Sequence, residues 1–373
     1  MNKRLLRNFD FWIVGAVVAL CCLSLVMIAS ASRPVIGSGE DPLAYVKRQA
    51  LWFALGTVVF LVVASIEYSD FSRLAHLIYW GNIALLVLVM VKGRAALGAQ
   101  RWIGPLQPSE IAKICIVITL ATMLSEKERP VKNLRDMLPV FLHVALPMAL
   151  ILRQPDLGTS LVFAAIMLGM LFMAGAPSRY VLGMVFGGLG AVVGAITLHL
   201  TRGTWLPLKD YQLKRLIVFV NPQADPLHSG YHVIQSKIAV GSGGLWGKGL
   251  FSGTQSRLNF LPEQHTDFIF SVIGEELGFV GCIAVLALYF FVLWRAIQIM
   301  SYSRDKLGCL LAAGIVSMLS FHVLTNVGMT MGVMPITGIP LPFMSYGGNS
   351  FITNAVALGL LESIAMRRQK IMF

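Results

Sequence analysis

Residues 307–361, LGCLLAAGIVSMLSFHVLTNVGMTMGVMPITGIPLPFMSYGGNSFITNAVALGLL, decide the fold class, because these 55 consecutive residues contain no Asp, Glu, Lys or Arg. A second uncharged stretch runs from Phe11 to Ser32. About 20 apolar residues are enough to cross a bilayer as a helix. Of all 373 residues only 13% are charged, compared with about 25% in soluble domains. The composition excludes a soluble protein and predicts an all-α polytopic membrane protein.

Ten apolar runs predict about ten transmembrane helices within one integral-membrane domain, residues 1–373. The runs lie near residues 11–32, 49–66, 74–91, 108–125, 137–152, 157–175, 180–200, 268–295, 307–332 and 347–366. An even number of spans puts both termini on one side of the membrane. The short loops on that side are dense in Lys and Arg, which indicates the cytoplasm. The first run is longer than the apolar core of a signal peptide, so we expect a retained helix.

The chain carries 30 Lys and Arg against 18 Asp and Glu, a formal charge of +12. With cytoplasmic termini, many basic residues fall on the outer side, where the positive-inside rule predicts few. They are Lys47, Arg48, Lys92, Arg94, Arg101, Arg153, Arg202, Lys209, Lys214, Arg215, Lys237, Lys248 and Arg257. Solvation or contact with anionic lipids can explain single residues. As a group they predict an anionic ligand on the outer face, since arginine binds phosphate with paired hydrogen bonds.

The longest external segment, residues 201–267 between the seventh and eighth helices, is expected to be functional, because loops longer than about 15 residues seldom lack a role. Its apolar spacing predicts a short interfacial helix near residues 229–240, followed by a tight glycine-rich turn. The run GSGGLWGKG, Gly241 to Gly249, superficially looks like a phosphate loop. Five residues instead of four precede its Gly-Lys step, which excludes that motif. The cysteines show no metal-binding spacing either.

The sequence LNFLPEQHTDFIF, residues 258–270, contains the strongest candidate for acid–base chemistry. Glu263, His265 and Asp267 stand immediately before an apolar helix. Asp267 is a candidate general base, because low-dielectric surroundings raise the pKa of a carboxyl group. His265 could orient it or share its proton. The alternative is that Asp267 only caps the helix N-terminus, where aspartate is favoured.

A second candidate element is QRWIGPLQPSEIAK, residues 100–113. Its second proline suits the first turn of a helix, which places Glu110 and Lys113 at positions i and i+3 on one face. Ionisable residues inside a membrane usually mark a functional cavity, although a purely structural ion pair is the alternative. Arg101 and Trp102 precede this helix. Tryptophan is common at membrane interfaces, and an Arg-Trp step could also hold a phosphate and a sugar.

Four further polar positions attract interest. Asp156 precedes the sixth helix and is expected to cap it. Ser345 follows a proline-rich stretch, residues 334–344, that predicts a kinked or re-entrant loop before the tenth helix. Glu275 and Glu276 lie two turns inside the eighth helix, and one of them is expected to face the interior of the bundle.

From the residues alone, a transporter and a membrane-embedded transferase are supported about equally. Four motifs go further. They are QRWIGPLQPSEIAK, GYHVIQSKIAVGSGGLWGKG, FLPEQHTDFIFSVIGEELGFVG and MPITGIPLPFMSYGGNSF, in this order. In these motifs the chain resembles the SEDS family (shape, elongation, division and sporulation) of bacterial cell-wall synthesis. The resemblance extends along nearly the whole chain and is greatest to the elongation branch of the family.

The resemblance implies a multi-pass protein of the bacterial cytoplasmic (inner) membrane whose active site faces the periplasm or exterior. The implied activity is a peptidoglycan glycosyltransferase that polymerises lipid II into glycan strands during cell elongation. Asp267 matches the family's essential aspartate and would act on the 4-hydroxyl of the acceptor GlcNAc, with undecaprenyl pyrophosphate as the leaving group. Glu110 and Lys113 would shape or charge the cavity. The candidates for binding pyrophosphate are Arg48, Arg101 and Arg215.

The resemblance also implies partners. They are lipid II, the nascent glycan strand, a class B penicillin-binding protein with transpeptidase activity, and other membrane proteins of the elongation complex; nucleic acid is not expected. A divalent cation, Mg or Mn, could assist the leaving group, although no ligand cluster indicates one. The alternatives are a lipid II flippase or transporter, and a non-catalytic scaffold for the penicillin-binding protein.

Overall fold

The computed structural model describes residues 7–32, 41, 43–96, 99–127, 131–202, 210–225, 229–258 and 260–368. Most of them are helical. The helices are α1 (Phe11–Ala31), α2 (Ala44–Ser65), α3 (Tyr68–Arg73), α4 (Ala75–Lys92), α5 (Pro108–Ser125), α6 (Leu134–Arg153), α7 (Leu157–Met173), α8 (Ser178–Arg202), α9 (Asp210–Val220), α10 (Ser229–Ser242), α11 (Thr254–Arg257), α12 (Ile269–Ser301), α13 (Lys306–Thr330) and α14 (Gly348–Met366). The strands β1 (Arg94–Ala96) and β2 (Ala99–Trp102) and a 3₁₀ turn (Pro222–Ala224) complete the regular structure of these residues.

Each of the ten apolar runs identified in the sequence coincides with a helix. In the described part of the chain, eight helices are long and apolar enough to cross a membrane. They are α1, α2, α4, α5, α6, α8, α12 and α13. Helix α7 is apolar but has 17 residues, and α14 has 19 residues. The prediction of a helical, polytopic fold is confirmed, with the number of spans close to ten.

The connections between the spans hold more regular structure than the sequence predicts. Strands β1 and β2 pair antiparallel, so the fold is not purely α-helical. A three- or four-residue strand is too short to show an apolar period, which is why the hairpin was not expected. Segment 201–267 contains α9 and α11 besides the predicted interfacial helix, which is α10. Its residues 203–209, 226–228 and 259 lie outside the described part of the chain.

Helices α5 and α13 lie at the centre of the bundle, and most of their residues are buried. Helix α14 packs along α2 and also contacts α5 and α13. Helix α8 lies at the periphery, where none of the residues in its membrane-spanning stretch is buried. Two of the candidate site residues, Glu110 and Lys113, lie on one of these central helices, α5.

The start of α1 and the end of α14 meet at one end of the bundle, which is called the termini end. Asn8 donates a hydrogen bond from Nδ2 to the carbonyl of Met366 at 3.3 Å. Arg295, near the end of α12, donates from Nε to the Asp10 carboxylate at 3.1 Å. The backbone N–H of Asp10 donates to Glu362 Oε2 at 3.2 Å. The opposite end carries the β-hairpin, α9, α10 and the start of α12, and is the loop end.

Helix α12 is broken at Gly278, whose φ of 65° and ψ of −163° suit glycine and few other residues. The glycine-rich run after α10 fills this break. Two of its N–H groups donate to the last carbonyls before the break, in the pairs Lys248–Glu275 and Gly249–Glu276, both at 3.0 Å. Two of its carbonyls accept from the first N–H groups after the break, in the pairs Gly244–Phe279 at 2.9 Å and Leu245–Val280 at 3.1 Å. The backbone groups exposed by the break are therefore paired, as a membrane helix requires.

Both Glu275 and Glu276 are buried, whereas the sequence indicated that one of them would face the interior. Glu275 accepts hydrogen bonds from Lys248 Nζ at 2.8 Å and Thr254 Oγ1 at 3.1 Å. Glu276 accepts one from the hydroxyl of Ser30 in α1. The two carboxylates thus hold α1 and segment 244–255 against the first part of α12.

Candidate functional site

The candidate base, Asp267, lies in a tight turn at the loop end. The backbone N–H groups of Thr266, Asp267 and Phe268 all point to the carbonyl of Glu263, at 3.2, 3.1 and 3.4 Å. Glu263 has a positive φ of 51°. Helix α12 begins after Phe268, which occupies the N-cap position, and no side chain caps it. Asp267 therefore does not cap α12, and the capping alternative is wrong.

The Asp267 carboxylate is half-buried, and none of the described residues donates a hydrogen bond to it. Burial raises the pKa of Asp267 to about 6, and the negative charge of Glu263 acts in the same direction. The positive charges of Arg215 and Arg101 lower that pKa. A carboxyl group with a pKa near 6 is mostly ionised at pH 7 and is more basic than an ordinary aspartate. This is the property that a general base needs.

His265 lies beside this turn in an aromatic cluster. Its ring centroid is 4.8 Å from that of Tyr45 and 5.5 Å from that of Tyr346. The backbone N–H of Tyr346 donates to the His265 carbonyl at 2.9 Å. Burial lowers the pKa of His265, although the Glu263 carboxylate acts in the opposite direction. The ring is therefore mainly neutral at pH 7, and a shared proton with Asp267 stays a prediction.

Ser345 binds the same turn, since its Oγ donates to the Thr266 carbonyl at 2.6 Å. Helix α2 borders this segment through Gln49, whose Oε1 accepts from the N–H of Gly347 at 3.2 Å. Arg48 precedes that glutamine and is exposed on α2. Ser345 and Arg48 thus belong to the two elements that flank the Asp267 turn.

Arg101, at the end of the β-hairpin, is tied to the end of α6. Its Nε donates to the Gln154 carbonyl at 3.1 Å, and its Nη2 donates to the Pro155 carbonyl. Part of the hydrogen-bonding capacity of the guanidinium group therefore caps a helix C-terminus, which the sequence interpretation as a pyrophosphate ligand did not foresee. The neighbouring Trp102 is half-buried in the hairpin.

Asp156 caps α7, as the sequence predicts. Its carboxylate accepts from the N–H of Thr159 at 3.2 Å and from its Oγ1 at 3.0 Å. It also accepts from Ser109 Oγ at the start of α5, at 3.1 Å. All three residues are buried. Asp156 therefore joins α7 to α5 besides capping α7, and a role in binding substrate stays a prediction.

Glu110 and Lys113 form the predicted pair in α5, with Lys113 Nζ 2.8 Å from Glu110 Oε1 and side chains only 7% and 2% exposed. His322 of α13 joins them, its Nε2 lying 3.2 Å from Lys113 Nζ. One turn further along α13, Asn326 donates from Nδ2 to the carbonyl of Asp267 at 3.0 Å. The buried cluster and the candidate base therefore share a helix. Sequence reasoning missed His322 and Asn326, because single polar residues in an apolar helix form no motif.

The structure brings only some of the outer basic residues toward the candidate base. Arg215 and Arg101 act electrostatically on Asp267. Lys47 and Lys248 instead form ion pairs with acidic neighbours, both at 2.7 to 2.8 Å. Lys209 and the side chains of Arg94, Lys214 and Arg257 lie outside what the structure describes.

In the described ranges, no three His, Cys, Asp or Glu residues gather as ligands for a metal ion. Asp267 and Glu263 provide two carboxylates in one turn. Magnesium is often held by one or two carboxylates together with substrate phosphates, so these two residues fit a cation only in the presence of such a substrate. The divalent cation stays a prediction.

The sequence matches the profile of the FtsW/RodA/SpoVE family, described as cell cycle protein, over residues 11–370. The peptidoglycan glycosyltransferase RodA of Treponema pallidum is 37% identical, over 99% of this chain and 100% of that protein. The peptidoglycan glycosyltransferase MrdB of Escherichia coli is 37% identical over 94% and 92%. A probable peptidoglycan glycosyltransferase FtsW of Geobacter metallireducens is 36% identical over 98% and 97%.

Solved structures show the same fold. A chain from a study of how a peptidoglycan synthase complex coordinates polymerization and crosslinking superposes with a TM-score of 0.80 at 31% identity, covering 96% of this chain and 98% of that one. The rod shape determining protein RodA of Thermus thermophilus superposes with a TM-score of 0.69 at 30% identity, over 97% and 98%. It has also been crystallised as an aspartate-to-alanine mutant.

These matches cover almost the entire chain and agree with its apolar helices. The chain is an integral membrane protein, and it belongs to the FtsW/RodA/SpoVE family, the SEDS family that its four motifs resemble.

Proposed function

We propose that this chain is a peptidoglycan glycosyltransferase that polymerises lipid II during cell elongation. The names of relatives with 36% and 37% identity over nearly full length support this reaction class. The observation that carries the mechanism is the Asp267 carboxylate. It is half-buried, lacks a hydrogen-bond donor among the described residues, and has a pKa of about 6.

In the proposed reaction, the ionised Asp267 carboxylate takes the proton from the 4-hydroxyl of the acceptor GlcNAc. The resulting oxygen attacks C1 of the donor MurNAc from the face opposite the phosphate. A new C1–O bond forms as the bond from C1 to the pyrophosphate oxygen breaks, so the α-linkage becomes β. Undecaprenyl pyrophosphate carries away the bonding electrons, and the proton leaves from Asp267 to water before the next cycle.

Binding of the pyrophosphate falls to the basic residues around Asp267. Arg215 is partly exposed on α9 and acts on Asp267 electrostatically. Arg48 is exposed on α2, which borders the turn. Arg101 is the weakest of the three candidates, because two of its nitrogens already donate to backbone carbonyls. A divalent cation, if bound with the substrate, would neutralise the leaving pyrophosphate.

We further propose that the loop end faces the outer side of the cytoplasmic membrane and the termini end faces the cytoplasm. The density of Lys and Arg in the short loops of the termini end supports this orientation. A class B penicillin-binding protein is the proposed partner. The relative whose structure concerns coordinated polymerization and crosslinking supports such a complex.

The direct test compares purified protein with its Asp267→Asn variant, using labelled lipid II and separating the glycan products. Asparagine keeps the size of the side chain but cannot accept the proton. We expect loss of polymer by about 10²- to 10⁴-fold, the usual contribution of a general base. Asp70→Asn, on α3, where the carboxylate is 49% exposed and pairs only with the exposed Arg73 among the described residues, serves as a matched control and should retain activity.

Polymer made by Asp267→Asn at the parental rate would refute the base assignment. If the parent protein makes no polymer but moves lipid II across vesicle membranes, the flippase hypothesis is supported instead. A parent protein that does neither, yet binds and activates the penicillin-binding protein, would be a scaffold.

A further inference from the structure

Three consecutive carbonyls of the Asp267 turn each accept a hydrogen bond from a distant part of the chain. The His265 carbonyl accepts from the N–H of Tyr346 at 2.9 Å. The Thr266 carbonyl accepts from Ser345 Oγ at 2.6 Å. The Asp267 carbonyl accepts from Asn326 Nδ2 at 3.0 Å. A non-helical segment is thus fixed residue by residue at the position where the candidate base stands.

Asn326 donates two hydrogen bonds from a single side-chain nitrogen. It is completely buried on α13, and its Nδ2 also donates to the Ile339 carbonyl at 2.8 Å. Ile339 follows Gly338, which lies against the carboxylate: a Cβ at that glycine would be 3.4 Å from Asp267 Oδ2. The amide group of Asn326 therefore binds both the backbone of Asp267 and the segment that lies next to the Asp267 carboxylate.

Ser345 supports the same arrangement from the second segment. Its Oγ donates to Thr266 and at the same time accepts from the N–H of Leu341 at 2.9 Å. The hydroxyl therefore links the Asp267 turn to the segment that follows Ile339. Both residues use their donors on backbone carbonyls, so they set the position of Asp267 without touching its carboxylate.

We propose that Asn326, assisted by Ser345, is a positioning residue that holds Asp267 in the geometry of a general base. The inference rests on the proposed function, because it assigns a role within that reaction. Rates of positioned reactions are sensitive to small displacements, and a misplacement of about 1 Å can reduce them about 10²-fold. The amide is required because two donors on one nitrogen must reach two carbonyls. Leucine has a similar volume without any donor, and aspartate has only acceptors.

The principal test measures kcat and KM for lipid II polymerisation in full-length Asn326→Leu. We expect kcat to fall at least about 10-fold with KM nearly unchanged, since the variant leaves the basic residues in place. Asn326→Gln keeps the amide and should recover part of kcat. The matched control is Asn354→Leu, because Asn354 is as deeply buried on α14 but donates to Ser350 of its own helix at 3.4 Å. This control should lose thermal stability to a similar extent and keep kcat.

A double variant separates positioning from general stability. If Asn326 acts through Asp267, then Asp267→Asn with Asn326→Leu should be no slower than Asp267→Asn alone, because the effects of residues that act as a unit do not add. Losses that multiply would overturn the proposal, as would an unchanged kcat in Asn326→Leu. Should Asn326→Leu fail to fold, Ser345→Ala tests the same arrangement: a lower kcat with constant KM supports it, and an unchanged kcat overturns it.

These results are distinguishable from a failure of the proposed function. Parental activity in Asp267→Asn alone would refute the base assignment whatever the Asn326 variants do. An inactive Asp267→Asn with a fully active Asn326→Leu would refute only the positioning role.

Discussion

The two ends of the bundle each hold a prominent aspartate, and the two carboxylates are treated in opposite ways. At the termini end, Asp10 accepts from the N–H groups of Trp12 and Ile13 at 3.1 and 3.2 Å and pairs with Arg295. At the loop end, Asp267 receives no hydrogen bond from the described residues, and its nearest cations act from a distance. One aspartate is fully engaged by the protein, and the other is open to a ligand.

The hydrogen-bond donors around each carboxylate distinguish Asp10 from Asp267, the proposed base. Asp10 is the more deeply buried of the two, and its carboxylate accepts hydrogen bonds from two backbone N–H groups and from Arg295. Asp267 is only half-buried, but it lacks such donors and its pKa is raised to about 6. Proton transfer needs a carboxylate that is not already committed to other donors.

The largest expected effect is that substitutions at these two positions change different properties. The substitution at Asp10 should lower stability, and the one at Asp267 should lower activity. Asp10→Asn should keep the helix cap, lose the charge partner of Arg295, and lower the melting temperature while the activity of the folded fraction stays near the parental value. Asp267→Asn should do the reverse and lose about 10²-fold or more in activity. Polymerisation assays and thermal melts in the same detergent would measure both. Loss of specific activity in Asp10→Asn would break the comparison.

The next largest effect is expected at the Glu110–Lys113 ion pair, where stability and activity should both change. Lys113→Met leaves a carboxylate buried without its partner, and breaking such a pair costs about 3 to 5 kcal/mol. Adding Glu110→Gln removes the stranded charge and should restore most of the melting temperature. We expect the double variant to remain poorly active, because the cavity has lost its charges.

If that double variant recovered both stability and activity, the Glu110–Lys113 pair would be a structural element, as Asp10 is. The single Glu110→Gln variant is the control. It removes the same charge but leaves Lys113 within reach of His322.

A smaller effect concerns pH. The pKa of Asp267 is above that of an ordinary aspartate, so activity should fall as the pH drops through about 6 and the carboxylate is protonated. The charge of Arg215 lowers that pKa, and Arg215→Met should therefore move the acidic limb of the kcat profile to higher pH. Arg202→Met, at an exposed residue at the end of α8, should leave the limb where it is. An unmoved limb in Arg215→Met would show that Arg215 does not act on the base.

The smallest effect is on stability at Asp267 itself. A folded-state pKa above the ordinary value means that the ionised carboxylate destabilises the fold at neutral pH, so Asp267→Asn should melt slightly higher than the parent. This gain should be largest near pH 8, shrink as the pH falls below about 6, and vanish well below pH 4, where the carboxyl group is protonated in both the folded and the unfolded state. Thermal melts across this range would check it. A lower melting point at pH 8 would make Asp267 a structural residue like Asp10.

Much of the fold follows from the sequence because transmembrane spans depend on a one-dimensional property. A stretch without charges must lie where charges are costly, and the even number of runs places the termini together. The Glu110–Lys113 pair follows just as directly from helix geometry, since residues three apart share a face. These inferences need no knowledge of which helices meet.

The remainder depends on contacts between distant segments. His322 is 209 positions from Lys113, and Asn326 is 59 positions from Asp267. Nothing in the apolar sequence of α13 marks either residue. The engagement of Arg101 with the end of α6 likewise requires the hairpin and that helix to be adjacent. Sequence identified the residue types for the chemistry, and packing determined which of them are held, paired or left open.

The break at Gly278 divides α12 into two helical parts, residues 269–277 and 279–301. Both parts are linked by backbone hydrogen bonds to segment 244–249, through Glu275 and Glu276 before the break and through Phe279 and Val280 after it. The two parts of α12 are therefore connected by segment 244–249 as well as by Gly278 itself. Bending at Gly278 would break some of these four hydrogen bonds, so the segment stiffens the break and does not leave it free to bend. The turn that carries Asp267 directly precedes the stiffened start of α12 and is held in addition by Asn326 and Ser345.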